Sequence, residues 1–136
     1  MKLATLFRFV IKIGTDICSL KRIGEAYERF GEKFLTKILT DAEMRYVLSE
    51  PPHTVARLAG RFAAKEAVSK TLGTGWRSVG WKEVEIVRLP SGEPTIRLHG
   101  RANGIAERRG LKEWQVSISH EREFAVAMVL AHSGTL

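Results

Sequence analysis

Cysteine is almost missing. A single Cys18 in 136 residues excludes a disulfide framework and any multi-cysteine zinc site. It fits a reducing compartment, and a cytoplasmic protein is expected. No apolar run approaches the ~18 residues of a membrane span, so no membrane partner is expected. Lys2, Arg8 and Lys12 interrupt the apolar N-terminal stretch, which does not have the layout of a signal peptide. Repeats, low-complexity tracts and long Gly/Ser/Pro linkers are lacking, so no boundary divides residues 1–136, and the length suits one domain with its own core. Acid is in deficit. Asp+Glu number 15 against Lys+Arg 22, a formal net charge of +7. Such an excess asks for an anionic partner: nucleic acid, a phosphate-bearing ligand or an acidic protein. Hydrophobic residues at 44% and charged residues at 27% are ordinary globular values and exclude a disordered or fibrous chain.

The period of the apolar residues divides the chain. Phe7, Phe9, Ile11, Ile13, Thr15 and Ile17 alternate with Arg8, Val10, Lys12, Gly14 and Asp16, which predicts a half-buried strand. Ser19 can cap a helix running towards Gly31. Thr40 with Glu43 three residues on forms a capping box for a second helix, which ends before Pro51-Pro52. A third helix is predicted from about Thr54 to Leu72, stopped by Gly73. Val84, Ile86 and Leu89 then read as a strand, Pro90 to Pro94 as a turn, and Thr95 to Leu98 as the returning strand. Arg101 to Arg109 reads as a short helix closed by Gly110. Trp114 to His120 and Phe124 to Leu130 form a second hairpin around Glu121-Arg122-Glu123. The order β-α-α-α-β-β-α-β-β is only partly alternating, which favours an α+β fold with antiparallel hairpins over a doubly wound parallel sheet.

One carboxylate sits where an apolar residue is expected. On a wheel of about 100° per residue, Val55, Leu58, Ala59 and Ala63 cluster around Phe62 as the apolar stripe of the third helix, and Glu66 falls inside it at about 40°. Such a carboxylate is protonated, paired or bound to a cation. An ion pair with Lys70 at i+4 is one reading; a metal-binding or catalytic role is the other, because a stripe can open onto a cleft. Asp16 ends the first strand on the parity opposite the apolar residues. It reads either as a solvated or capping aspartate or as one of two carboxylates, with Glu66, for Mg²⁺. Glu43 has a sufficient structural task in its capping box. His53, His99 and His132 show no ligand spacing.

The same residues carry a resemblance. Ile13-Gly14-Thr15-Asp16-Ile17 and Phe62-Ala63-Ala64-Lys65-Glu66-Ala67-Val68-Ser69-Lys70 resemble the two signature motifs of the 4′-phosphopantetheinyl transferases. The short length, Gly60-Arg61-Phe62 and Gly73-Thr74-Gly75 are similar to the holo-[acyl-carrier-protein] synthase branch of that family. Leu20-Lys21-Arg22-Ile23, Ile38-Leu39-Thr40, Ser91-Gly92-Glu93-Pro94 and Val116-Ser117-Ile118-Ser119-His120 extend the likeness from about Ile11 to Leu130. Residues 1–10 stand as an extension before the usual family start.

The resemblance implies an α+β trimer with active sites between subunits. It implies Mg²⁺-dependent transfer of phosphopantetheine from coenzyme A to a serine of an acidic apo-acyl-carrier protein, in fatty-acid synthesis, with adenosine 3′,5′-bisphosphate as the other product. Asp16 and Glu66 match the family's metal-holding carboxylates, which moves Glu66 from ion pair to metal ligand. Glu66, a metal-associated water and Glu43 are then the candidate proton acceptors, with Glu66 or a water polarised beside it favoured, and Lys70 reaches the phosphates as a point charge. Arg61, Lys70, Gly73, Ser91, Gly92, Pro94 and His120 are the expected coenzyme A contacts. Arg22, Arg29 and Lys33, at i, i+7 and i+11, are the expected basic face for the carrier protein; taken alone they read equally as a solvated face. Two other readings compete: a small basic nucleic-acid-binding domain, which lacks any recognisable module, and a coenzyme-A-binding protein without catalysis, against which both carboxylates argue. No nucleic acid is expected as a partner.

Overall fold

The computed structural model describes residues 9–134. The predicted start of the first strand at Phe7 and Arg8, and most of the extension 1–10, lie outside them. Strand β1 (Ile11–Ser19) leads into helix α1 (Leu20–Phe30), whose N-terminal cap is Ser19; its hydroxyl accepts a hydrogen bond from the Arg22 amide at 3.2 Å. Gly31, at φ 59°, turns the chain out of the helix, and a short helix α2 (Glu32–Ile38) follows that periodicity did not reveal. Lys33 therefore belongs to α2, and the trio Arg22, Arg29 and Lys33 does not share one helix. Seven residues are too few for a hydrophobic stripe to declare itself.

Helix α3 (Asp41–Leu48) opens with the expected capping box of Thr40 and Glu43. Helix α4 (Thr54–Leu72) ends at Gly73, which is left-handed at φ 80°. Strands β2 (Val84–Arg88) and β3 (Pro94–Leu98) pair as a hairpin. Helix α5 (Gly100–Arg108) leads to β4 (Glu113–His120) and β5 (Phe124–His132). The larger sheet has the order β1-β5-β4, antiparallel throughout. Segregated antiparallel sheets packed with helices are the α+β arrangement expected.

Helix α4 is the axis of the fold and is buried on most of its circumference. Ala63, Ala64 and Ala67 keep it thin where the sheet crosses it. Closest of all is Gly14 of β1. A Cβ there would collide with the Ala67 carbonyl and the Thr71 hydroxyl, and would lie 3.0 Å from the Thr71 amide. The strand thus turns its Gly14, Asp16 and Cys18 parity towards the helix. The apolar parity, which alternation alone suggested as the buried side, looks outward instead: Ile13 and Ile17 are 66% and 61% exposed. Bulk cannot face a helix that lies against the strand backbone, so the small and polar residues do.

The other flank of α4 carries a buried ion pair. Lys65 is fully buried, and its ammonium donates to Glu43 Oε1 at 2.8 Å and to the carbonyls of Trp81 and Val84. Glu43 Oε1 also accepts from the Thr40 amide at 2.8 Å, and Oε2 from the Ile86 amide at 2.9 Å. Burial pulls the Lys65 ionisation down, and the Glu43 carboxylate pulls it back up. The pair ties α3, α4 and β2 together, giving Glu43 the structural task its capping position suggested. Lys65→Met leaves the Glu43 charge buried without a cation and is expected to cost about 3–5 kcal/mol in urea unfolding; an unchanged unfolding midpoint would contradict this role.

Candidate active site

Asp16 and Glu66 arrive from different elements and line one cavity of about 470 Å³, together with Cys18, Arg22, Phe34 and Phe62. β1 brings Asp16 because Gly14, two residues earlier on the same face, touches α4. Helix α4 brings Glu66 one turn beyond Phe62, and the carboxylate is half-buried. Both charges reach Cys18: its thiol is pushed up to about 11, first by burial and then by the negative charges of Asp16 and, more weakly, Glu66. The thiol donates to the Ala59 carbonyl at 3.3 Å.

Lys70 pairs with Asp16, not with Glu66 as the i+4 reading supposed. Its ammonium lies 3.1 Å from Asp16 Oδ1 and 3.0 Å from the Thr15 carbonyl. Glu66 Oε1 instead accepts from the indole N–H of Trp76 at 3.1 Å. The strand packed beside α4 offers Lys70 a closer acid than its own helix does.

Among the described residues no cluster of three His, Cys, Asp or Glu side chains forms a ligand cage. Two carboxylates on an open cavity do not suit structural zinc, which wants four protein ligands. They do suit Mg²⁺, which takes one or two carboxylates and completes its shell with waters and substrate phosphates.

A second cavity, about 380 Å³ and mainly apolar, shares Ala26, Phe34 and Phe62 with the first and continues to Phe30 and Trp81. Lys33 lines it, while Arg22 lines the carboxylate cavity. Arg29 lies over the Phe30 ring at 5.2 Å. Arg22 and Lys33 therefore border adjoining cavities from two helices, while Arg29 lines neither and lies against Phe30 at the edge of the second.

Arg61 is not at the carboxylate cavity. It is 6% exposed and lies over the Tyr46 ring at 4.2 Å, with the Arg57 and Arg88 guanidiniums at 4.3 and 5.4 Å from the same ring. Burial pulls its ionisation down. Arg57 is paired with Glu50 at 2.7 Å, but the buried Nε of Arg61 has no hydrogen-bond partner. A Cβ on Gly92 would lie 3.3 Å from the Arg88 guanidinium, so the Ser91–Gly92 turn before Pro94 adjoins this arginine cluster. Three cations with one carboxylate among them, one orphaned and buried, form a place for an anion.

Gly73 abuts Arg109, whose guanidinium donates to the Leu72 carbonyl. The following Thr74 lines a polar cleft of about 560 Å³ with Arg77, Arg101, Arg108 and Arg109. His120 ends β4 in an exposed position opposite Ala125. Sequence reasoning missed Arg57, Arg88, Arg109 and Trp76. Each acts on a partner from another element, and the only signal for Trp76 was a large aromatic placed just after a helix-ending Gly-Thr-Gly.

Because its Nε is unpartnered, Arg61→Met is expected to be neutral or stabilising in urea unfolding. The same change is expected to abolish most of the thermal stabilisation given by inorganic phosphate. Stabilisation equal to that of the unchanged chain would remove Arg61 from an anion site.

The pattern of the 4′-phosphopantetheinyl transferase superfamily matches residues 12–129. The chain is 55% identical over 121 residues to the holo-[acyl-carrier-protein] synthase of Gloeobacter violaceus, covering 89% of this chain and 92% of that one. Its fold superposes on the holo-[acyl-carrier-protein] synthase of Neisseria meningitidis with a TM-score of 0.81 and 36% identity, covering 88% and 96% of the two chains. The Helicobacter pylori holo-[acyl-carrier-protein] synthase, solved in complex with coenzyme A, superposes with a TM-score of 0.77 and 32% identity, covering 88% and 98%.

Proposed function

This chain belongs to the 4′-phosphopantetheinyl transferase superfamily, and from that premise we propose that it transfers the 4′-phosphopantetheine group of coenzyme A to a serine of an apo-acyl-carrier protein. The observation that carries this reading is the meeting of Asp16 and Glu66 on one cavity, at the two family motifs. The serine oxygen attacks the β-phosphorus of the coenzyme A pyrophosphate. The bond from that phosphorus to the bridging oxygen breaks, and adenosine 3′,5′-bisphosphate leaves. The hydroxyl proton passes to Glu66 or to a water beside it. Phosphoryl transfer of this kind depends on positioning and on neutralising oxygen charge. Asp16 and Glu66 would hold Mg²⁺, which would supply that neutralisation. Lys70 holds Asp16 in the structure described. Being 55% exposed, its ammonium is free to exchange that partner for a phosphate oxygen.

The remaining phosphate of coenzyme A fits the arginine cluster. Arg61 supplies a buried cation lacking a hydrogen bond, and Ser91, Gly92 and Pro94 frame the turn beside it. Gly73 and His120 remain proposed contacts on the same reasoning from the family. Arg22 and Lys33 border the two cavities from α1 and α2, and with Arg29, which lies over Phe30, they would steer an acidic carrier protein. The basic nucleic-acid reading has less to stand on: Trp76 and Trp81 stack on each other at 3.8 Å and so are committed to the protein itself. No described helix is long and apolar enough to cross a membrane.

Intact mass of an apo-acyl-carrier protein incubated with this chain, coenzyme A and Mg²⁺ tests the reading. A single phosphopantetheine adduct, dependent on Mg²⁺ and falling with ionic strength, is expected. Glu66→Gln should lower its rate at least about 100-fold, since even groups supporting a metal ligand are worth 10–100-fold. No adduct from the unchanged chain, or normal turnover by Glu66→Gln, would overturn it.

The outward face of the β1-β5-β4 sheet fits the homotrimer. Ile17 of β1 lies opposite Val126 of β5, and Met128, opposite Thr15, sits diagonally between Ile13 and Ile17; with Ile11 and Phe124 towards the ends of the same face, all six apolar side chains are exposed in one subunit. A contiguous apolar patch of this kind marks an interface. Met128 lies on the central strand and is 50% exposed. Met128→Glu is expected to give monomers in sedimentation and to abolish transfer. A trimer with normal activity would place the interface elsewhere.

A further inference from the structure

We propose that Trp76 is a positioning residue for Glu66, its indole N–H holding one carboxylate oxygen so that the other remains available to the divalent cation. The inference rests on the reading of Asp16 and Glu66 as metal ligands. Trp76 lies in the single turn Gly75–Arg77, just beyond the end of α4. The chain reverses at Gly73 and returns along the helix it has left. Trp76 then stacks on Trp81 with ring centroids 3.8 Å apart and planes 20° from parallel, and Trp81 stacks on Phe62 at 5.3 Å and 23°. Phe62 and Glu66 are one turn apart on α4. The aromatic stack is therefore anchored to the helix at Phe62, and its far ring donates to the helix at Glu66 Oε1, 3.1 Å away.

This geometry restricts Glu66 twice. The stack removes the freedom of the donor, and the hydrogen bond removes the freedom of the acceptor. A carboxylate free to rotate must be ordered each time a cation binds, whereas one already held loses little more. Indole is a donor only, so Trp76 cannot compete for the cation; it can only orient the ligand. Among the described residues, Glu66 Oε2 accepts no protein hydrogen bond, which leaves that oxygen for coordination. Lys70 at the other carboxylate is different in kind. It is an exposed cation on Asp16 that a divalent cation would displace, while Trp76 is neutral and would remain.

Trp76→Phe keeps an aromatic ring in the stack and removes only the donor. Trp81→Phe makes the same ring change in the same stack without touching the Glu66 bond. Mn²⁺ binding, read by electron paramagnetic resonance in the presence of coenzyme A, is expected to weaken about 10–100-fold in Trp76→Phe. It should stay within about threefold of the unchanged chain in Trp81→Phe. With transfer assayed against Mg²⁺, Trp76→Phe should raise the metal concentration for half-maximal rate more than it lowers the rate at saturation. Should either variant fail to fold, the indole N–H resonance of Trp76 in the unchanged chain gives the answer: it should shift on Mg²⁺ addition. Equal Mn²⁺ affinity in all three chains, or a Trp76 resonance indifferent to Mg²⁺ that does bind, overturns the assignment while leaving the metal site intact. Failure of the unchanged chain to bind Mn²⁺ at all instead overturns the metal reading, and this inference with it.

Discussion

The approach of β1 to α4 at Gly14 governs the rest of the molecule. With a Cβ at that position the strand could not lie against Ala67 and Thr71. Because it does, every second residue of β1 is committed to the helix side, and Asp16 is delivered within reach of Lys70 and to the cavity that Glu66 lines. The same constraint turns the bulky parity of the strand outward. One steric fact therefore produces both the carboxylate pair and the apolar outer face proposed as the subunit interface. Site and assembly are linked through a strand only nine residues long.

Helix α4 serves several partners by distributing residue types around its axis. Small residues face the sheet, Lys65 reaches the Glu43 pair, Arg61 faces Tyr46, and Phe62 and Glu66 border the cavity. That distribution explains why the helix is buried on most sides, beyond the single apolar stripe that its sequence shows. It also explains the contrast between its charges. Lys65 is fully enclosed and satisfied by three acceptors, a structural arrangement whose desolvation cost is offset by complete hydrogen bonding. Arg61 is enclosed with an unsatisfied nitrogen, and Lys70 is exposed. Charges left incompletely satisfied or open to solvent are the ones available to a ligand.

Much of this was legible in the chain. The caps at Ser19 and Thr40, the stops at Gly31 and Gly73 and the two hairpins were readable because each depends on backbone groups within a few residues. Helix α2 was not, since it is too short to show a period. The orientation of β1 was misleading because alternation identifies two faces and does not say which one meets the protein. Arg57 and Arg88 were invisible, and Trp76 nearly so, for a related reason: their significance lies in partners on other elements, and spacing along the chain does not identify those partners.

By itself the sequence determined that one carboxylate lay on an apolar stripe and that excess positive charge sought an anion, whereas the association of Asp16 with Glu66 was implied only by the resemblance to a known family. It could do so because residue chemistry and local periodicity are properties of the chain. Only the tertiary structure decided that Lys70 holds Asp16, that Trp76 holds Glu66, and that Arg61 sits with Arg57 and Arg88 over one tyrosine. Those pairings are set by how closely a strand can approach a helix and by where a reversing loop comes to rest. Such distances exist only once the chain is packed.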